Sequence, residues 1–209
     1  MTLRAEKKAK TRRALIEAAL SLSAERGMGG IGLREITRKA EVTPAAFYRH
    51  FRDMDDLALA LVDEVGILLR HLMRQARLRA VEQGRGVISR SVETFMEFVQ
   101  DYPHLFRVLL GGHSGSSPAF RKALHAEMDR FIGELQEDLE RGAAASNRPL
   151  VNARLAAEAS VAVVFTVGAE ALDLPAADRK SLAERIIQEV RIILRGAQAL
   201  ANKSTKQFP

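Results

Sequence analysis

LREITRKAEVTPAAFYRHFRDMDDL, residues 33–57, is the stretch on which the fold turns. Leu33, Ile36 and Ala40 fall on one face of a short helix over 33–40, the spacing of a 3.6-residue period. Glu41, Val42 and Thr43 form a turn. Thr43 suits an N-cap, and Pro44 suits the first helical position, where its missing N–H costs nothing. A third helix then covers 44–51, with Phe47 and Phe51 on its inner face. Two short helices across a three-residue turn have the geometry of a helix-turn-helix. In that motif the second helix enters the major groove and the first crosses the backbone. Ala45 and Ala46 are small enough for close approach to base edges, and Tyr48, Arg49 and His50 place polar groups at one helix end.

On the N-terminal side, Leu15, Ala18, Ala19 and Leu22 predict an amphipathic helix over 6–26, stopped by Gly27, Gly29, Gly30 and Gly32. On the C-terminal side, Asp53 and Asp56 have the spacing of a capping pair. They open a helix over 53–80 along Leu57, Leu61, Val65, Leu68 and Leu72. Further helices are expected over 87–100, from Pro103 to the Gly111–Gly112 pair, over 118–141, 150–172 and 178–200, with a loop at 142–149 and a frayed tail. No strand-like alternation persists, so the expected fold class is all-α with nine helices.

Charge divides the chain unevenly. Residues 1–52 carry 12 Lys/Arg against 5 Asp/Glu, a net of +7, whereas 53–209 carry 20 against 21, a net of −1. The whole basic excess lies in the first quarter of the chain, the footprint expected for a polyanion partner. The chain has 209 residues, 47% hydrophobic and without cysteine, so disulfides, thiol nucleophiles and Cys-ligated metals are excluded. No uninterrupted apolar run reaches about 18 residues, and the longest candidate, 159–172, carries Glu170. No apolar signal-peptide core follows the basic N-terminus. A cytoplasmic location and no membrane partner are expected.

At this point the segment 33–57, and above all FYRHF followed by an acidic helix start, resembles the N-terminal DNA-binding region of the TetR family of transcriptional regulators. The nine-helix layout and the length fit that family across the chain. EKKAKTRRALIEAAL, SAER, FYRHFRDMDDLALALVDE, LLRHLMRQAR, SVETFMEF, HSGSSPAFR and VFTVGAEALD resemble a narrower group, the FabR/DesT type. These are repressors of unsaturated fatty-acid synthesis genes that respond to long-chain acyl-CoA. The resemblance implies a three-helix DNA-binding domain at 1–52 and a ligand-binding and dimerisation domain at 53–209. It puts Thr43, Tyr48 and His50 where family members contact phosphate, and Ala45, Ala46 and Arg49 on or beside the recognition face. Arg12 and Arg34 become phosphate or groove contacts. Phosphate contacts release counterions and position the protein, while base reading needs bidentate groups such as arginine on guanine. Few such groups stand on 44–51, so Arg34, Arg49 or DNA shape must supply them.

In the second region, periodicity alone leaves a packed core and a ligand tunnel both open for Phe95, Phe98, Phe106, Met128, Phe131 and Phe165. The resemblance implies that some of these line a pocket for an acyl chain, held by apolar burial at about 0.8 kcal/mol per CH₂. Arg70, His71, Arg74 and Arg77 recur at helical spacing, and residues 113–117 end at a helix N-terminus. Either group could meet the CoA phosphates, or be a solvated basic face and a plain cap. The last two helices, with Ala162, Val163, Thr166, Gly168 and Ala169, are expected to build a homodimer, whose two-fold axis would match a palindromic operator.

Catalysis finds no support. The five histidines, at 50, 71, 104, 113 and 125, lack HExxH spacing, and no G-x-S-x-G or phosphate-cradling glycine loop occurs. No cofactor is expected beyond an effector ligand. A helical acyl-CoA carrier that never meets DNA is the remaining rival, opposed by the charge asymmetry and by FYRHF.

Overall fold

The computed structural model describes residues 3–26, 30–83, 86–111 and 117–206, and the expected anion site at 113–117 falls largely outside them. Among the described residues there are nine α-helices and no strand. They are α1 (Leu3–Arg26), α2 (Leu33–Lys39), α3 (Pro44–Tyr48), α4 (Met54–Glu82), α5 (Val87–Asp101), α6 (Pro103–Leu110), α7 (Pro118–Ser146), α8 (Ala153–Gly168) and α9 (Arg179–Lys206). Short 3-10 turns at Ala169–Leu172 and Ala176–Asp178 join the last two.

Helix ends follow local chemistry. The Asp53 carboxylate accepts from the Asp56 N–H at 2.8 Å, which makes the Asp53 half of the expected capping pair, while the Asp56 carboxylate accepts from the Arg52 N–H at 3.0 Å, one residue before the cap. Ser117 Oγ accepts from the Phe120 N–H at the start of α7. Several expected boundaries move, among them that of the last helix, which runs on to Lys206 through most of the tail expected to fray. Helix α7 continues through the stretch expected to be a loop, because Ala143, Ala144 and Ala145 are strong helix formers. It stops only where Asn147 turns left-handed (φ 52°), with Arg148 N–H donating to Ala143 O and Asn147 N–H to Ala144 O. Helix α8 begins at Ala153 rather than 150, because Asn152 caps it by accepting from the Leu155 N–H at 2.9 Å.

The chain divides into two compact units, one of residues 1–68 with 102–127, the other of 69–101 with 128–209. Helices α4 and α7 supply a segment to each. The functional boundary expected at 52/53 falls inside the first unit. In that unit α1 packs on α2 and α6 around Leu15, Ile36, Phe47, Leu57, Leu61 and Phe106, all shielded from solvent. In the second unit α8 and α9 pack on each other and on α5, around Phe95, Ala157, Leu182 and Ile186. Residues Ala153–Leu172 are long and apolar enough to span a membrane by composition, which an uninterrupted-run criterion misses because Glu158 and Glu170 break the run. Here that segment buries about a third of its apolar stretch, including Ala156, Ala157, Ser160 and Val167, and leaves Leu155, Ala162 and Thr166 exposed.

Candidate nucleic-acid interface and effector cavity

Helix α2 is held at its start by the Gly32 N–H donating to the Glu35 carboxylate at 3.1 Å. It ends in a turn in which the Val42 N–H donates to Thr37 O and the Glu41 N–H to Arg38 O, with Glu41 at φ 55°. That turn fixes the angle at which α3 leaves. Thr43 then caps α3, its Oγ1 accepting from the Ala46 N–H at 3.2 Å. The cap uses an acceptor lone pair, so the exposed Thr43 hydroxyl keeps its proton to donate to an outside oxygen.

Helix α3 ends at Tyr48, and Arg49 and His50 occupy the turn that follows rather than the helix itself. Phe47 is fully buried and Phe51 nearly so. These two rings anchor α3 while the Tyr48 ring stands edge-on to Phe47 (5.5 Å, 85°) and stays 60% exposed. Ala45, Arg49 and Arg34 are exposed, whereas Ala46 turns inward and is only 6% exposed. Of the two alanines, only Ala45 therefore presents its methyl to solvent. Arg12, on α1, lies over the Phe51 ring at 5.3 Å and within 4.0 Å of Glu64. His50 is half-buried, and its Nδ1 is shielded. Burial first, then the charges of Lys8, Arg49 and Arg12, hold its pKa below the ordinary histidine value. Arg12, Arg49 and His50 thus come together just past the end of α3, Tyr48 is its last residue, Thr43 caps its start, and Arg34 stands on α2. Lys8, not singled out by sequence, belongs with them. Its signal was its place one turn before Arg12 on α1.

The second unit contains a cavity of about 160 Å³, lined from α4, α5, α7, α8 and α9. Phe95, Phe131 and Phe165 line it, with ring centroids 5.6 Å apart for Phe95–Phe165 and for Phe131–Phe165. Phe98 is buried away from it, Met128 is half-buried outside its lining, and Phe106 belongs to the core of the first unit. Most of the remaining wall is aliphatic, including Leu69, Val92, Val161, Val164 and Leu194. Aliphatic lining residues carry the same periodicity as core residues, so sequence offered nothing to separate them. The polar wall consists of Ser91, Ser160, Arg77 and Asp138.

Two of the four groups in the basic stripe of α4 are committed to ion pairs. Arg70 pairs with Glu134 at 3.2 Å and lies over the Phe131 ring. Arg77 pairs with Glu134 at 3.8 Å and with Asp138. Arg74 and His71 are exposed. Among the described residues no group of three His, Cys, Asp or Glu could hold a metal.

Comparison with known proteins agrees with this architecture. Residues 15–61 match the family of bacterial regulatory proteins of the tetR type, and residues 85–193 match a tetracyclin repressor-like C-terminal domain. Similar solved structures include FadR from Bacillus subtilis in complex with stearoyl-CoA (14% identity, TM-score 0.68, 88% of this chain and 98% of that one). Salmonella enterica GusR is another (18%, 0.72, 88% and 95%). A third is a TetR-like transcriptional regulator from Rhodococcus sp. RHA1 (19%, 0.66, 89% and 96%). At these identities the structures share the fold. With a helix-turn-helix head, an all-helical body, and family matches that together take in most of its length, the chain belongs to the TetR family of bacterial transcriptional regulators.

Proposed function

We propose that this regulator is a homodimeric, cytoplasmic repressor that grips a palindromic operator with α2 and α3 and is controlled by a hydrophobic effector in the cavity of its second unit. The observation that carries the DNA reading is the exposed surface of the α3 segment: Thr43 at its start, Ala45 along it, and Tyr48 and Arg49 at its end, with Arg12 and His50 near that end and Arg34 exposed on α2. Thr43, Tyr48 and His50 set register on phosphate, and Arg49 or Arg34 reads base edges. Long-chain acyl-CoA, with control of unsaturated fatty-acid synthesis genes, is the effector implied by the sequence resemblance. The likeness in fold to FadR with stearoyl-CoA is compatible with it. A second reading, some other hydrophobic small molecule, is favoured by the pairing of Arg70 and Arg77 with Glu134 and Asp138, which leaves less positive charge for CoA phosphates. Either effector changes operator affinity only by its differential affinity for the two conformations.

The test is selection of genomic fragments by the purified protein, followed by footprinting and anisotropy titrations. A protected palindrome is expected. Tyr48→Phe should weaken all operator variants alike by a small factor, whereas Arg49→Ala should change the ranking among variants. Equal affinity for every sequence would overturn the repressor reading, and equal losses for both substitutions on every variant would overturn the division of labour.

A further inference from the structure

We propose that the cavity of the second unit selects a compact, uncharged aromatic molecule bearing one hydrogen-bonding oxygen, held through that oxygen by Ser91. This rests on the reading of the chain as an effector-controlled regulator and names the effector's chemistry. Size comes first. At about 160 Å³ the space matches an engineered apolar cavity of about 150 Å³ that binds benzene, and seats one ring rather than the length of a long acyl chain. The walls come second. Phe95, Phe131 and Phe165 are tilted by 49° and 58° to one another, an arrangement of faces and edges suited to offset contact with a further ring.

The polar wall decides the rest. Ser160 already donates its hydroxyl to Ala156 O at 2.7 Å. Ser91 Oγ is buried and meets no hydrogen-bond partner among the described residues. A hydroxyl can both donate and accept, and leaving it unsatisfied in an apolar site is unfavourable. A phenol or ketone oxygen completes it. Charge excludes the anion. Arg77 reaches the cavity already paired with Asp138 and Glu134, and Asp138 itself lines the wall, so a carboxylate would sit against a carboxylate.

Calorimetry on the full-length protein tests this with four probes: 4-methylphenol, toluene, 4-methylbenzoate and palmitoyl-CoA. The phenol should bind about three- to tenfold more tightly than toluene, the worth of one net hydrogen bond. Ser91→Ala should remove that ratio and leave toluene unchanged. Val164→Phe, which fills the space, should remove binding of both while circular dichroism shows the fold retained. The proposal is overturned by equal binding of phenol and toluene, by an unchanged ratio in Ser91→Ala, or by tighter binding of 4-methylbenzoate or palmitoyl-CoA. Operator binding measured in parallel separates the two readings. Failure of the phenol and toluene to bind a protein that still grips its operator sinks the cavity assignment alone. Selective phenol binding by a protein that ignores DNA upholds the assignment and sinks the repressor.

Discussion

Glu41 stands at φ 55° in the turn between α2 and α3, a left-handed conformation that costs a residue with a Cβ about 1–2 kcal/mol. It is the position where the last carbonyls of α2 are satisfied, since the N–H groups of Glu41 and Val42 close back on Arg38 and Thr37. Glycine adopts this geometry freely but loses more chain entropy on folding. Glu41→Gly should therefore raise stability by about 0.5–1 kcal/mol, read as a shift in urea midpoint at constant slope; a fall would mean that the Glu41 side chain holds the turn. His50 offers a second test. Its pKa is lowered by burial and then by Lys8, Arg49 and Arg12. Below the ordinary histidine value of about 6.5 the unfolded chain therefore binds more protons than the folded one, and this group's effect is to reduce stability as pH falls. The proposed phosphate contact acts in the opposite sense on DNA binding. A phosphate favours the imidazolium, so the complex takes up a proton and operator affinity should rise as pH is lowered from about 8 to 6. His50→Gln should flatten that rise in anisotropy titrations, and an identical slope in the variant would remove His50 from the interface.

At the scale of elements, α8 meets α5 at a glycine. A Cβ on Gly168 would lie 2.4 Å from Phe95 Cε1, and Phe95 is 1% exposed, so its ring has little room to move. Gly168→Ala should destabilise the protein by about 1–3 kcal/mol through overpacking, measured by thermal denaturation, and should displace a ring that lines the cavity. An unchanged melting temperature would show that the two helices can slide apart. Gly168 also illustrates what the sequence could and could not convey. Periodicity placed nine helices, and Thr43–Pro44, Asp53–Asp56 and Ser117–Pro118 marked their starts, because caps act within four residues. The same local signals placed the exposed end of α3. They did not convey that Ala46 turns inward, since α3 is too short for its inner face to show a period. Nor did they separate Phe95 from Phe106, because both are buried rings on amphipathic helices and only packing assigns them to different units. The arginines of α4 read as a basic stripe because their partners, Glu134 and Asp138, lie about sixty residues away in sequence.

For the whole molecule, the proposed reading of a palindromic operator calls for a second copy. The last two helices expose Leu155 (59%), Ile192 (70%) and Leu200 (55%), with Ala162, Thr166 and Gly196 also exposed. Scattered apolar residues need no explanation, but these fall on the two helices that pack most closely on each other in the second unit. Small residues among them permit a near approach of backbones. A two-fold interface would bring each patch against its own copy and supply the two heads that a pair of half-sites requires. Ile192→Glu would place like charges opposite one another across the axis, in a position 70% exposed in the monomer, so the single chain should keep its melting behaviour at low concentration. The dimer should weaken by at least tenfold in light scattering. Binding to a full palindrome should fall in step, while binding to an isolated half-site, which needs one head only, should stay as it was. A variant that remains dimeric would move the interface off this face. One that turns monomeric yet keeps full affinity for the palindrome would show that the two half-sites are read independently.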